Sequence, residues 1–260
     1  MHHLVHQYDL NHMNKKSIKD YPSVSDMNQN QRVEIVKDIF SSITNKYDFL
    51  NRFLSLRQDL SWRNKTVKKM RFFKSYKFLD LATGTGDLAI DAVNTHSKIT
   101  AIGLDFVQDM VDYGNNKIKD QNLEDRVALK WGDATNIDCE DNTFDVVAMA
   151  FGIRNIPDKV KALTEMKRVV LPEGQILILE LTTPNPGFFK DIYSFYLNKI
   201  LPRLAELFTT NPAAYEYLAD SIISFPTRSE FVYLLSSIGF RNINAVPLSL
   251  GICTLYIANK

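Results

Sequence analysis

A chain of 260 residues, 45% hydrophobic and 23% charged, can bury a substantial core, and a formal net charge of +1 lacks the basic excess of a dedicated nucleic-acid binder. Two cysteines, Cys139 and Cys253, stand far apart without metal-ligand spacing and read as packed thiols of a reducing compartment, with no metal site expected. No run approaches the roughly 18 apolar residues of a membrane span, and the N-terminal stretch has neither the apolar core of a signal peptide nor an arginine-rich transit pattern.

Residues 1–31 are expected to form a flexible polar tail, and its His2, His3, His6 and His12 lack the carboxylate or cysteine partners of a metal site. Folded structure is expected over 32–260. Val33, Val36, Ile39, Phe40 and Ile43 recur at helical spacing, which predicts a helix from Arg32 to Tyr47. A second helix is predicted over Trp62–Met70, so residues 32–70 read as a helical cover. Strands are then predicted at Phe78–Ala82, Ile99–Leu104, Val127–Trp131, Phe144–Ala150 and Gln175–Leu181. Helices are expected from Gly86, over Val107–Lys119 and over Lys159–Val170, with Pro172-Glu173-Gly174 turning into the fifth strand.

Strands separated by helical crossovers imply a parallel, doubly wound α/β sheet. After residue 184 the rhythm breaks into an aromatic-rich stretch, read as a helical insertion over 184–226 on the substrate side. A helix over Arg228–Ser237 and two strands, Asn242–Pro247 and Ile252–Ala258, complete the chain; their short connection allows an antiparallel pair at the sheet's end.

The turn after the first strand carries the chemistry. LDLATGTGDLA (Leu79–Ala89) places Gly84 and Gly86 between strand and helix, and Asp105 lies about 20 residues further on. Glycines let backbone N–H groups approach a ligand, and a carboxylate at the end of the second strand binds ribose hydroxyls. The same glycines, with Ala89, also fit the dinucleotide pattern G-x-G-x-x-A, so a nicotinamide-dependent oxidoreductase is a competing reading. Asp80 inside the first strand, Asp133 after the third and the antiparallel tail favour S-adenosylmethionine: Asp80 could orient the turn or meet the ammonium, and Asp133 could accept the adenine amino group. The expected cofactor contacts are Asp80, Thr83, Gly84, Thr85, Gly86, Asp105, Asp133 and Ala134.

From about Val33 to its end the chain resembles the C-methyltransferases of ubiquinone and menaquinone biosynthesis. The resemblance lies in YDFLNRFLSLRQDLSWR (Tyr47–Arg63), DLATGTGDLA (Asp80–Ala89), DNTFDVVAMAFGIRN (Asp141–Asn155), KRVVLPEGQILILEL (Lys167–Leu181) and YEYLADSIISFP (Tyr215–Pro226). It implies a seven-stranded, Rossmann-like sheet of class I methyltransferase type with helical lid elements. Thr85, Asp105, Asp133 and Ala134 match the family's cofactor positions. Four places depart from the family: Asp59 stands at a common histidine, Ala150 at a serine, Leu171-Pro172-Glu173-Gly174 at K-P-G-G, and Glu180-Leu181-Thr182 at E-F-S. The end, PLSLGICTLYIANK, is closer to menaquinone-pathway members.

The reaction so implied moves a methyl group from sulfonium sulfur to a ring carbon of a prenylated quinol, demethylmenaquinol before the benzoquinol of the ubiquinone route. Arg154 is expected to hold the developing phenolate or orient a water, and a structural ion pair is the competing use of its charge. Tyr47 and Asp48, with Asn51, are expected to close over the ligands where the first helix ends, and Tyr47, Asp48 and a water are the alternative proton acceptors. The apolar residues between Phe188 and Phe208 line a prenyl groove, face a membrane surface, or pack as ordinary helices. A cytoplasmic location, peripheral contact at the inner face of the membrane and a homodimer are compatible with this reading, as is a non-catalytic subunit of a quinone-biosynthetic assembly.

Overall fold

The computed structural model describes residues 27–185, 187–201, 203 and 213–260. His2, His3, His6 and His12, and the apolar Leu204, Leu207 and Phe208, lie outside the described residues. Seven strands form one sheet in the order β3-β2-β1-β4-β5-β7-β6. They are β1 (Lys77–Leu81), β2 (Thr100–Asp105), β3 (Val127–Trp131), β4 (Phe144–Ala150), β5 (Val170–Leu181), β6 (Arg241–Leu248) and β7 (Cys253–Asn259). The first five are parallel, and β7 runs antiparallel between β5 and β6. β1 and β4 are almost wholly buried, as expected of central strands covered on both faces.

Helices α1 (Gln29–Ile43), α2 (Tyr47–Leu54), α3 (Gln58–Val67), α4 (Asp87–Thr95) and α5 (Gln108–Asp120) precede β3, and α6 (Lys159–Val169) joins β4 to β5. After β5 come α7 (Phe188–Phe195), α8 (Ala213–Ile223) and α9 (Arg228–Ser237). One sheet face packs on α3, α4 and α5 through Trp62, Leu88, Val93, Val111 and Ile118. The other packs on α6 and α9 through Leu163, Met166, Phe231 and Leu235. A third apolar cluster joins α1, α2, α7 and α8 through Val36, Leu50, Tyr193 and Ile222, with Phe106, Leu181 and Ile252 packed against it. Those last residues adjoin the end of β2, the end of β5 and the start of β7, so this helical cover sits over the carboxyl edge of the sheet.

Three local predictions differ from the structure. The helix predicted to run to Tyr47 instead stops at Ile43, makes a tight turn at Thr44–Lys46 and restarts as α2. Hydroxyls of Ser42 and Thr44 donate back to the carbonyls of Ile39 and Phe40, a pattern that bends helices. Tyr47, Asp48 and Asn51 therefore open or line a second helix. The helix predicted over Trp62–Met70 begins earlier, at Gln58, where Ser55 Oγ meets both the backbone N–H and the carboxylate of Asp59. The Pro172-Glu173-Gly174 turn lies inside β5 rather than before it. Val170 already pairs with Phe144, Glu173 takes φ 66°, and pairing resumes at Gln175 with Val146.

Candidate active site

The strand-to-helix turn after β1 is fixed by short-range bonds. Gly86 adopts φ 80° and its N–H donates to the Thr83 carbonyl at 3.0 Å, while Thr83 N–H donates to Leu104 O at 3.1 Å. Thr83 Oγ1 donates to Asp80 Oδ2 at 2.6 Å. Asp80 thus orients the turn from beneath, and burial pushes its carboxyl up to about 7 despite the Thr83 hydrogen bond. Asp105 Oδ2 accepts from Gly84 N–H at 2.8 Å and Oδ1 from Val107 N–H at 3.0 Å, tying the turn to the end of β2. Burial raises the Asp105 carboxyl above its usual range, against these backbone bonds.

A small cavity of about 80 Å³ opens at this edge, walled by Gly84, Asp105, Asp133, Ala134 and the apolar Val107, Met110 and Ile156. Asp133 holds the loop after β3 through Thr135, whose N–H and Oγ1 lie 2.8 and 2.9 Å from its oxygens. A carboxylate accepts at about four sites, so both aspartates retain acceptor capacity for ribose or adenine groups. Apolar side chains between them suit the faces of an adenine ring. These residues fit an adenosine-bearing cofactor. Thr83, Thr85 and Gly86 form the turn behind this wall, and Asp80 supports it from β1. Val107, Met110 and Ile156 were not legible as lining residues of this cavity, because apolar residues at element ends look like ordinary core.

A larger cavity of about 570 Å³ lies under the helical cover. Its wall is mostly apolar, with Ile39, Leu50, Trp62, Tyr193, Leu197 and Ile222 among its residues. Phe40, Tyr47 and Phe151 wall both cavities, so the two are neighbours across these rings. Tyr47 Cε1 would lie 3.5 Å from a Cβ at Gly84, which sets the phenol against the glycine turn. Burial raises the Tyr47 pKa, outweighing its hydrogen bond with Asn51 and the nearby Arg154, so this hydroxyl keeps its proton.

Arg154, on the turn Ile153–Asn155 after β4, also faces the large cavity. Its Nη1 lies 2.7 Å from Glu180 Oε1, and its own backbone N–H donates to Oε2 at 3.1 Å. Nη1 also donates to the Phe151 carbonyl, and Arg32 donates to the Arg154 carbonyl. Nε is buried with no hydrogen-bond partner among the described residues. Burial alone would lower the Arg154 pKa; the charge and hydrogen bond of Glu180 outweigh it and keep the guanidinium protonated. Arg154 is therefore both an ion-pair partner and a cation at the cavity wall. Glu180 was not foreseen as that partner, since it lies on a different strand.

Asp48 lies outside both cavity walls. Its Oδ1 accepts from Thr85 Oγ1 at 2.6 Å and its Oδ2 from Lys117 Nζ at 2.9 Å. Lys117 also reaches Asp87 at 2.6 Å, and Asp87 meets Arg63, which lies 3.0 Å from Asp59. Burial raises the Asp87 carboxyl, but Arg63 and Lys117 outweigh that and hold it below its usual range. The departure Asp59 thus has a role in this fold: it neutralises a buried arginine. Asp59 and Arg63 are one helical turn apart, but the other links join four helices, so no sequence-local signal marks the network as a whole.

Comparison with known proteins identifies the family. The pattern that defines the ubiE/COQ5 methyltransferase family matches residues 15–260. The chain is 39% identical over 231 residues to the ubiquinone/menaquinone biosynthesis C-methyltransferase UbiE of Geobacter sp. (strain M21), covering 88% of this chain and 98% of that one. It is 37% identical over 233 residues to the demethylmenaquinone methyltransferase of Bacteroides fragilis, covering 90% and 95%. Among solved structures, an S-adenosyl-L-methionine-dependent methyltransferase from Methanococcus maripaludis, described as putative, superposes with TM-score 0.60 at 20% identity, covering 85% of this chain and 94% of that one. A SAM-dependent methyltransferase from Aquifex aeolicus gives 0.55 at 20%, covering 75% and 88%. The nicotinamide reading of the glycine turn is set aside. The chain belongs to the ubiE/COQ5 methyltransferase family, and its cofactor is S-adenosylmethionine.

Proposed function

We propose that the protein methylates a ring carbon of a prenylated quinol, with demethylmenaquinol as acceptor in preference to the benzoquinol of ubiquinone biosynthesis. The observation that carries this is the apolar cavity of about 570 Å³ sharing Phe40, Tyr47 and Phe151 with the cofactor-side cavity, with Arg154 in its wall. A flat aromatic head with an apolar tail suits such a space. The naphthoquinol preference draws on the names of relatives such as the Bacteroides fragilis enzyme and on the C-terminal resemblance.

When bound, the cofactor supplies a methyl cation equivalent on sulfur. The residues of this chain then have separate tasks. Gly84, Asp105, Asp133 and Ala134 hold the adenosine portion, while Asp80, Thr83, Thr85 and Gly86 keep the turn in shape. Apolar rings exclude water from the space between donor and acceptor. Arg154, held cationic and fixed by Glu180, stabilises the phenolate as the quinol hydroxyl ionises. Tyr47 keeps its proton, so it acts as a hydrogen-bond donor or ring wall, and Asp48 serves the turn through Thr85. A water oriented by Arg154 takes the hydroxyl proton. Once the methyl is on carbon, that carbon's own hydrogen leaves as a proton and the oxygen is reprotonated, so one proton is released overall.

Purified protein supplied with S-adenosylmethionine and chemically reduced demethylmenaquinone is expected to yield a product heavier by one CH2. Benzoquinol turnover without naphthoquinol turnover would reverse the ring preference. Deleting the gene in its host is expected to leave the unmethylated naphthoquinone; an unchanged quinone pool, with no second enzyme able to methylate it, counts against the assignment.

A further inference from the structure

Three segments ring the mouth of the large cavity: the turn between α2 and α3, helix α7, and the turn between β6 and β7. Each presents apolar side chains that line the cavity yet remain open to solvent. Leu56 is 83% exposed and Leu250 69%, and both line the wall. Each sits at the tip of its turn with left-handed backbone, φ 51° and φ 60°. That conformation is unfavourable for a leucine, and a polar or glycine residue would normally stand there. Two strained leucines held out in water gain nothing from the folded chain itself.

Helix α7 repeats the pattern. Tyr193 and, beyond it, Leu197 turn inward to the third core cluster. Phe188, Phe189, Ile192 and Phe195 face outward, Phe188 at 74% exposure. The helix is thus apolar on two faces. The charges around this rim are mostly basic. Among the described residues of segments 52–58, 187–203 and 249–252, Arg57, Lys190, Lys199 and Arg203 are basic and Asp191 alone is acidic, while Arg52 lies 3.6 Å from Asp87 and is balanced by it. The chain as a whole is almost neutral, so the basic excess is local.

We infer that this rim docks on an anionic lipid surface, with Leu56, Leu250 and the outer face of α7 entering the acyl boundary. An apolar face bordered by lysine and arginine is the pattern of a peripheral, interfacial helix, and each basic residue near an anionic surface adds to binding. Among the described residues no helix is long and apolar enough to cross a membrane, so contact is at one surface. The docked mouth would let an apolar acceptor pass into the cavity without crossing water. That last step rests on the quinol reading; the docking itself does not.

Flotation of the full chain with vesicles of phosphatidylcholine and phosphatidylglycerol tests the inference. Binding is expected, and it is expected to weaken about tenfold or more on pure phosphatidylcholine or in high salt. Lys190→Glu with Lys199→Glu, both outside the cavity wall, is expected to cause a similar loss while leaving turnover of a short-chain, water-soluble quinol unchanged. Leu56→Ser with Leu250→Ser is expected to lose binding with a parental melting curve; the lysine pair carries the test if that variant fails to fold. Equal binding of parent and charge-reversed chains, or no binding to either vesicle, overturns the docking. So does a solution dimer that Phe188→Asp separates while vesicle binding is unaffected, because the face then belongs to a second copy. Vesicle binding without any short-chain quinol turnover sinks the quinol reading and leaves the docking standing.

Discussion

Arg154 and Glu180 form a buried ion pair, with Nη1 2.7 Å from Oε1 and side chains 7% and 0% exposed. The glutamate also accepts from the backbone N–H groups of Arg154 and Leu181, so its charge is well satisfied and holds the arginine in one position. A fixed cation at an apolar cavity wall is preorganised for a developing anion. The ion pair of this arginine and the catalytic use proposed for it are therefore compatible in one arrangement.

Arg154→Ala is expected to lower turnover about 100-fold or more. It should also cost stability, about 3–5 kcal/mol, because Glu180 is left buried and unpaired. Arg154→Ala combined with Glu180→Gln separates the two effects. Denaturant melts of the double variant should recover much of the stability, while steady-state rates stay low. Recovery of the rate as well would make Arg154 a purely structural residue.

Lys117 links Asp48, Thr85 and Asp87, and so fastens the cover helix α2 to the glycine turn. In a double-mutant cycle, Asp48→Asn and Lys117→Met should couple by about 1–2 kcal/mol in stability. Both single variants should weaken cofactor binding, measured by calorimetry, because Thr85 loses its anchor. If Asp48→Asn instead abolishes turnover with cofactor affinity intact, Asp48 acts on the acceptor directly.

The fold was legible because its signals are local: apolar runs of strand length, helical crossovers between them, and Gly84 and Gly86 at a strand-to-helix turn. Asp105 and Asp133 stood out as carboxylates at strand ends. What stayed hidden depends on distance in sequence. Glu180 lies 26 residues from Arg154, and Lys117 lies 69 from Asp48. Polar pairs of that kind have no periodicity. The break at Thr44–Lys46 was missed because back-bonding hydroxyls end α1 without a glycine or proline to mark it. The mouth of the cavity was ambiguous for a further reason: residues 188–200 carry enough apolar bulk for both a core face and an outer face, and only exposure tells them apart.

Asp80 gives a pH signature. Its folded pKa, raised by burial to about 7, lies above the ordinary 3.8, so the folded chain binds the proton more tightly. The stability it contributes is present below the ordinary pKa and is lost as pH rises from about 4 to about 7. Melts of cofactor-free protein should show that decline, and Asp80→Asn should flatten it. The cofactor is a cation, which favours the ionised carboxylate, so its affinity should rise through about pH 7 and level off above. A parent and an Asp80→Asn variant with the same pH profile for binding would remove Asp80 from cofactor recognition.

Gly114 tests how closely α5 must approach the turn. A Cβ there would lie 2.3 Å from Leu129 Cδ1 and 3.0 Å from both the carbonyl carbon and oxygen of Thr85. The leucine end can rotate, but the Thr85 peptide cannot move without disturbing Gly84 and Gly86 on either side. Overpacking of this kind commonly costs about 1–3 kcal/mol. Gly114→Ala is therefore expected to weaken cofactor binding about tenfold while the far side of the sheet, packed on α6 and α9, keeps its parental hydrogen-exchange protection. A variant that binds cofactor normally would show that α5 shifts as a unit, and that the turn tolerates more displacement than its hydrogen bonds to Asp105 and Leu104 suggest.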